Sequence, residues 1–94
     1  MRRAAKTDRN QAEIVQALRQ VGATVQPLHT VGHGVPDLLV GFRGQTLLME
    51  VKDGQKPPSA QELTPDQREW ISAWRGGCVW VIRDVSQALE AVQA

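Results

Sequence analysis

The stretch from Gly32 to Lys52, GHGVPDLLVGFRGQTLLMEVK, restricts what this chain can become more than any other. It reads as a β-hairpin: an extended run from Pro36 to Phe42, a connection at Arg43 and Gly44, and a second run from Gln45 to Lys52 rich in strand-forming residues. If that connection is a two-residue turn, Phe42 pairs with Gln45 and the register follows by counting outward. Gly41 then meets Thr46, Leu39 meets Leu48, and Asp37 meets Glu50. One face carries Leu38, Val40, Leu47, Met49 and Val51, enough apolar surface to pack on a helix. The other face pairs Leu39 with Leu48, so both sides of the hairpin are expected to be covered for part of their length.

The opposition of Asp37 and Glu50 needs a compensation. Directly opposed side chains sit about 4.5 to 5.5 Å apart at Cβ, and like charges there destabilise the pair. A divalent cation meets that need, since Mg²⁺ takes one or two carboxylate oxygens, keeps several waters and draws its remaining partners from phosphate. Lys52 lies two residues beyond Glu50, on the same face of the strand. It reads either as an ordinary strand lysine or as a part of that site. Pro36 lacks a donor for a strand ladder and so belongs where the hairpin begins to open, leaving Asp37 at an accessible edge.

Composition narrows the classes. Ninety-four residues, 41% hydrophobic and 22% charged, suit one soluble domain spanning 1–94, with no apolar run long enough to cross a bilayer. No leader with a hydrophobic core is read. A lone cysteine, Cys78, has no partner for an internal disulfide, which fits the reducing cytoplasm. The net charge of +1 matters less than its distribution, because Arg2, Arg3, Lys6 and Arg9 all precede Asn10. Such an arm attracts a phosphate backbone, and equally reads as a solvated, flexible terminus over 1–7.

Along the chain, Thr7 or Asp8 is expected to cap a helix that runs to about Val21, with Ile14, Leu18 and Val21 as its buried stripe and Gly22 as its end. Glu13 borders the stripe, one helical step of about 100° from Ile14. It is read either as an exposed helix glutamate or as a rim residue pointing toward the hairpin. Ala23 to Leu28 forms a short strand, and His29 to Gly34 a loop in which two glycines flank His33. His33 reads as a surface histidine or as a phosphate or proton-transfer contact. His29 and His33, four apart but in a loop, are not a zinc pair.

Asp53 to Leu63 reads as a loop, with Lys56 either solvated or touching DNA. Thr64-Pro65-Asp66-Gln67 then starts a helix with Thr64 as cap and proline at the first position. Gln67 either completes a capping box or, since Trp70, Ile71 and Trp74 share its face, reaches from the apolar side toward the hairpin. Gly76 and Gly77 end this helix. Cys78 to Ile82 reads as a strand covered on both faces, the tryptophans as core residues rather than base-stacking platforms, and Asp84 as the cap of a last helix with Val85, Ala88, Leu89 and Val92 as its stripe.

Pro36-Asp37 at the head of one strand, followed by Glu50-Val51-Lys52 near the end of the next, resembles the PD-(D/E)XK nuclease signature. With the GxPD context Gly34-Val35-Pro36-Asp37, the hairpin spacing and the later Gln67, the chain resembles the small stand-alone VRR-NUC branch of that superfamily, from Glu13 to about Val81. The Val-Arg-Arg triplet of the family's name is absent, which leaves the substrate structure open.

The resemblance implies an α/β, restriction-endonuclease-like core, in the order αβββαβ plus a C-terminal helix, with a mixed sheet flanked by helices. It implies a Mg²⁺- or Mn²⁺-dependent endonuclease that hydrolyses phosphodiester bonds in DNA, with branched or four-way junction DNA as substrate and a homodimer as the working form. Asp37, Glu50, the main-chain carbonyl of Val51 and Glu13 are the implied metal ligands. Asp37, Glu50, Lys52, Gln67 and Glu13 are the implied catalytic set, and Arg2, Arg3, Lys6, Arg9, His33 and Lys56 are the candidate DNA contacts. The rival readings are a non-catalytic nucleic-acid-binding module and a nuclease directed at RNA.

Overall fold

The computed structural model describes residues 8–94. The elements follow in the order α1 (Gln11–Gln20), β1 (Thr24–Pro27), β2 (Leu38–Phe42), β3 (Gln45–Val51), a 3₁₀ turn (Pro58–Gln61), α2 (Pro65–Ala73), β4 (Val79–Ile82) and α3 (Val85–Gln93). The strands form one mixed sheet in the order β1-β2-β3-β4, antiparallel except where β4 runs parallel to β3. The expected α/β architecture and element order are present, with the 3₁₀ turn inserted in the long connection.

The hairpin register agrees with the count made from the turn. Phe42 pairs with Gln45, Gly41 with Thr46, Leu39 with Leu48, and Leu38 with Met49. Both turn residues have positive φ, 49° at Arg43 and 80° at Gly44, as a two-residue hairpin turn that follows the sheet twist requires. Glycine takes this conformation freely; Arg43 does not, and its guanidinium lies over the Phe42 ring at 4.9 Å.

Alternation then separates the two faces of the sheet. Leu38, Val40 and Phe42 of β2 join Leu47, Met49 and Val51 of β3 in the core, under Ile14, Val15 and Leu18 of α1 and Ala88, Ala91 and Val92 of α3. Leu48, Glu50 and Lys52 point to the opposite face and are buried too. That face is covered at its centre by α2, which reaches Glu50 and Lys52 through Gln67, and thins toward Leu39, which is exposed.

Several expectations are corrected. The cap of α1 is Asn10, not Asp8, and Asn10 makes no side-chain capping bond; Thr7 lies outside the described residues. The amide of Asn10 instead donates from Nδ2 to the carbonyls of Lys52 and Arg83, at 3.1 and 3.0 Å, tying the start of α1 to the ends of β3 and β4. Helix α2 ends at Ala73, before the glycine pair, and none of its residues is buried. The expectation that the tryptophans are core residues holds for Trp80 and fails for Trp74. Trp80 packs against the core, Trp70 is half-buried, and Trp74 is exposed, stacked on Trp70 with ring centroids 5.0 Å apart. Strand β4 is an edge strand, half-buried except at Ile82, rather than covered on both faces. Among the described residues no helix is long and apolar enough to cross a membrane.

The loop before β2 is seated directly on the start of α2. At Gly34, where φ is +82°, a Cβ would lie 2.2 Å from the main-chain oxygen of Asp66. At Gly32, where φ is +76°, it would meet nothing within 4 Å. Gly34→Ala is therefore expected to destabilise the protein by about 2 kcal/mol or more, and Gly32→Ala by about 1 kcal/mol, the cost of a left-handed backbone alone. Urea unfolding of the two variants beside the wild type measures the difference.

Candidate active site

The hairpin register, extended one residue past Leu38 and Met49, sets Asp37 across from Glu50. The backbone confirms how close Asp37 comes, because the N–H of Val51 donates to Asp37 Oδ2 at 2.8 Å. Glu50 is 2% exposed and sits between three groups. Gln67 Nε2 donates to Glu50 Oε2 at 2.9 Å, Lys52 Nζ stands 3.7 Å from the same oxygen, and Asp37 faces it from just before β2. The other oxygen, Glu50 Oε1, is buried with no hydrogen-bond partner among the described residues.

Burial is the largest force on the Glu50 carboxyl, which is pushed up from 4.5 to about 8. The neighbouring charge of Asp37 pushes the same way, Lys52 opposes it, and Asp8 adds a smaller upward push. A buried carboxyl that holds its proton near neutrality, with one oxygen lacking a donor among the described residues, could hold a hard cation. Oxygen-only donors suit Mg²⁺ or Mn²⁺ rather than a softer metal.

Lys52 Nζ, itself buried, donates to Gln67 Oε1 at 2.8 Å. The same oxygen accepts the N–H of Thr64 at 2.9 Å, while the N–H of Gln67 donates to Thr64 Oγ1 at 3.2 Å. The two readings of Gln67 open from the sequence are thus both fulfilled by one side chain. It completes the capping box of α2 and contacts Glu50 and Lys52.

The structure brings Asp37, Glu50, Lys52 and Gln67 together; it does not bring Glu13 to them. Glu13 is exposed and lines a cleft with Arg9, Asn10, Asp53, Gln55, Arg83 and Asp84. Among the described residues no three His, Cys, Asp or Glu side chains stand together as a metal cluster. The polar residue of α1 that turns inward is Gln11, 5% exposed, with Oε1 unpartnered among the described residues and Nε2 facing His29 Nδ1 at 3.5 Å. The spacing held this signal: Gln11 lies three residues before Ile14 and seven before Leu18, on the buried stripe, whereas Glu13 is one step off it.

The basic candidates are scattered. Arg9 forms an ion pair with Asp53 at 2.8 Å and also contacts Gln55. Asp53 is held below the usual carboxylate range, first by the N–H of Gln55 and then by Arg9. Lys56 pairs with Asp8 at 3.5 Å. His33 is exposed, with φ 58°, and lines a separate hollow with Asp66, Glu69, Trp70 and Ala73. Arg2, Arg3 and Lys6 fall outside the described residues. Asp8 and Asn10, which bear on Glu50 and on the Lys52 backbone, had no motif to mark them.

The raised Glu50 carboxyl has a consequence for stability. Between 4.5, where an unfolded chain releases this proton, and about 8, the folded protein binds one proton more. In chelator, stability is therefore expected to fall as pH rises through that window. Glu50→Gln removes this component, so the variant's unfolding midpoint in urea should overtake that of the wild type toward the upper end. Parallel pH dependences for the two proteins would mean that Glu50 ionises normally.

No family model matches the sequence, and no curated protein matches it. A solved structure described as a VRR_NUC domain does share this fold, with a TM-score of 0.62 and 30% sequence identity over 96% of this chain and 97% of that chain. The extent of that match, on a chain whose Asp37, Glu50 and Lys52 meet on one sheet face, shows that the protein belongs to the VRR-NUC family of PD-(D/E)XK-type nuclease domains.

Proposed function

We propose that this domain is a metal-dependent endonuclease that hydrolyses phosphodiester bonds in DNA, with branched DNA as its substrate class. The observation that carries the reading is the pair of adjoining carboxyls, Asp37 and Glu50, with Glu50 Oε1 buried and without a partner among the described residues and Lys52 Nζ 3.7 Å from Glu50 Oε2. Asp37, Glu50 and the main-chain carbonyl of Val51 would hold Mg²⁺ or Mn²⁺. A hard divalent cation, when bound, supplies Lewis-acid chemistry: it draws charge from a phosphate oxygen and makes water more acidic.

The chain's own groups do the rest. Glu50 gives up its proton to become a ligand, which the raised affinity for that proton makes pH-dependent. Lys52 Nζ, fixed by Gln67 Oε1, orients the attacking water and stabilises negative charge as it grows on the phosphoryl oxygens. Gln67 Nε2 holds Glu50 Oε2, so the carboxylate presents its other oxygen. Asp37 is held by the N–H of Val51, which keeps its carboxylate on the β3 side. Arg9, Lys56 and the basic residues Arg2, Arg3 and Lys6 supply positive charge for a phosphate backbone, and His33 is a further contact. One chain carries one such site, so paired cuts in two strands call for a two-fold homodimer.

The test is a panel of supercoiled, linear and four-way junction DNA with matched RNA, each with Mg²⁺, Mn²⁺ or EDTA. Cleavage of DNA that needs the metal, is strongest on the junction and falls roughly a hundredfold or more in Asp37→Asn and Glu50→Ala is the expected result. Tight binding without product in every lane would make the protein a binding module, and product from RNA alone would redirect the substrate class.

A further inference from the structure

Gln67 Oε1 accepts two hydrogen bonds, from Lys52 Nζ and from the N–H of Thr64. Its Nε2 donates to Glu50 Oε2. The direction of this carboxamide is consequential, because turning it over would set its NH₂ against an ammonium and a main-chain N–H and its oxygen against a carboxylate. What writes that direction from outside the site is residue 64. Thr64 is held to Gln67 twice, by its N–H to Oε1 and by its Oγ1 from the N–H of Gln67. None of the residues of α2 is buried, so the helix start is fixed by the Gly34 loop seated on Asp66 and by the reciprocal bonds at Thr64, and of the two only the Thr64 bonds reach the Gln67 carboxamide.

We infer that Thr64 is a positioning residue for the nuclease site, acting through Gln67 to hold Lys52 Nζ and Glu50 Oε2 in register. The inference rests on the nuclease reading given above and extends it to a residue whose side chain touches neither Glu50 nor Lys52. A cap that only stabilises α2 would change the stability of the protein and leave the turnover of the folded molecules alone. A cap that aims Gln67 changes turnover as well. Loss of Oγ1 frees the N–H of Gln67, loosens the start of the helix and lets the carboxamide leave its place.

The substitution set separates the two roles. Thr64→Ser keeps the acceptor oxygen, Thr64→Ala removes it, and Thr64→Gly removes it at a smaller cost in helix stability than Thr64→Ala. Single-turnover cleavage of junction DNA at saturating substrate, across the pH range, gives the kcat-type constant without the binding contribution. Exchange protection of the Gln67 side-chain amide protons, followed by NMR in the metal-free protein, reads the geometry without any activity. Thr64→Ala and Thr64→Gly should each lower turnover by roughly fivefold to tenfold, shift its pH profile and expose the amide protons, with Thr64→Ser restoring all three.

Wild-type turnover and wild-type amide protection in both Thr64→Ala and Thr64→Gly would overturn the inference while leaving the nuclease reading intact. Exposed amide protons with unchanged turnover would overturn it as well, by showing that the site does not depend on the carboxamide. A wild-type protein that cleaves none of the substrates in any metal defeats the nuclease reading itself, and the inference falls with it.

Discussion

The pairing of β2 with β3 governs both sides of this molecule at once. Because side chains alternate along a strand, a slip of one residue would turn Leu47, Met49 and Val51 outward and drive Leu48, Glu50 and Lys52 into the core under α1 and α3. The apolar face therefore enforces the polar one. The turn at Arg43 and Gly44 sets the count, and the core selects it, since only this register buries Leu38, Val40 and Phe42 beside Met49 and Val51. An arrangement that opposes two carboxyls is tolerated because the same pairing gives the sheet its hydrophobic face.

On the polar face, the fold keeps a carboxyl in conditions that an ordinary carboxylate would not accept. Glu50 is buried, faces a second acid, and has one oxygen with no donor among the described residues. Leaving such an atom unsatisfied is costly, and native structures do so where a ligand or chemistry uses it. The surrounding polar groups are, by contrast, well partnered. Gln67 makes bonds to Glu50, Lys52 and Thr64, Asp37 takes the N–H of Val51, and Asn10 holds the Lys52 carbonyl from below. Among the described residues of the site, Glu50 Oε1 and Asn10 Oδ1 are the buried side-chain atoms left without a partner.

How much of this could be read from the sequence depends on whether a local rule fixed it. The hairpin was legible because a two-residue turn and strand alternation convert spacing into register, and Asp37, Glu50 and Lys52 come with it. Gln67 was legible as a position but ambiguous as a role, because capping and reaching toward the sheet use the same spacing; the structure assigns both to one amide. Glu13 was open between an exposed helix glutamate and a rim residue, and only the family resemblance made it a ligand; the helical period that buries Ile14 and Leu18 carries Gln11 inward and leaves Glu13 exposed. Trp74 misled, since apolar character suggests a core, yet α2 lies over a polar site and leaves Trp74 in solvent. Asn10 and Asp8 act through contacts about forty residues or more away in sequence, and no periodicity reports those.

The nuclease chemistry proposed for this site requires Asp37 and Glu50 to converge on one divalent cation. Anomalous diffraction from crystals grown with Mn²⁺ tests it most directly. The expected result is a peak joining the Asp37 carboxylate to Glu50 Oε1, abolished in Glu50→Gln. Ordered crystals with no peak there, or with the metal held instead among Glu13, Asp53 and Asp84, would contradict it.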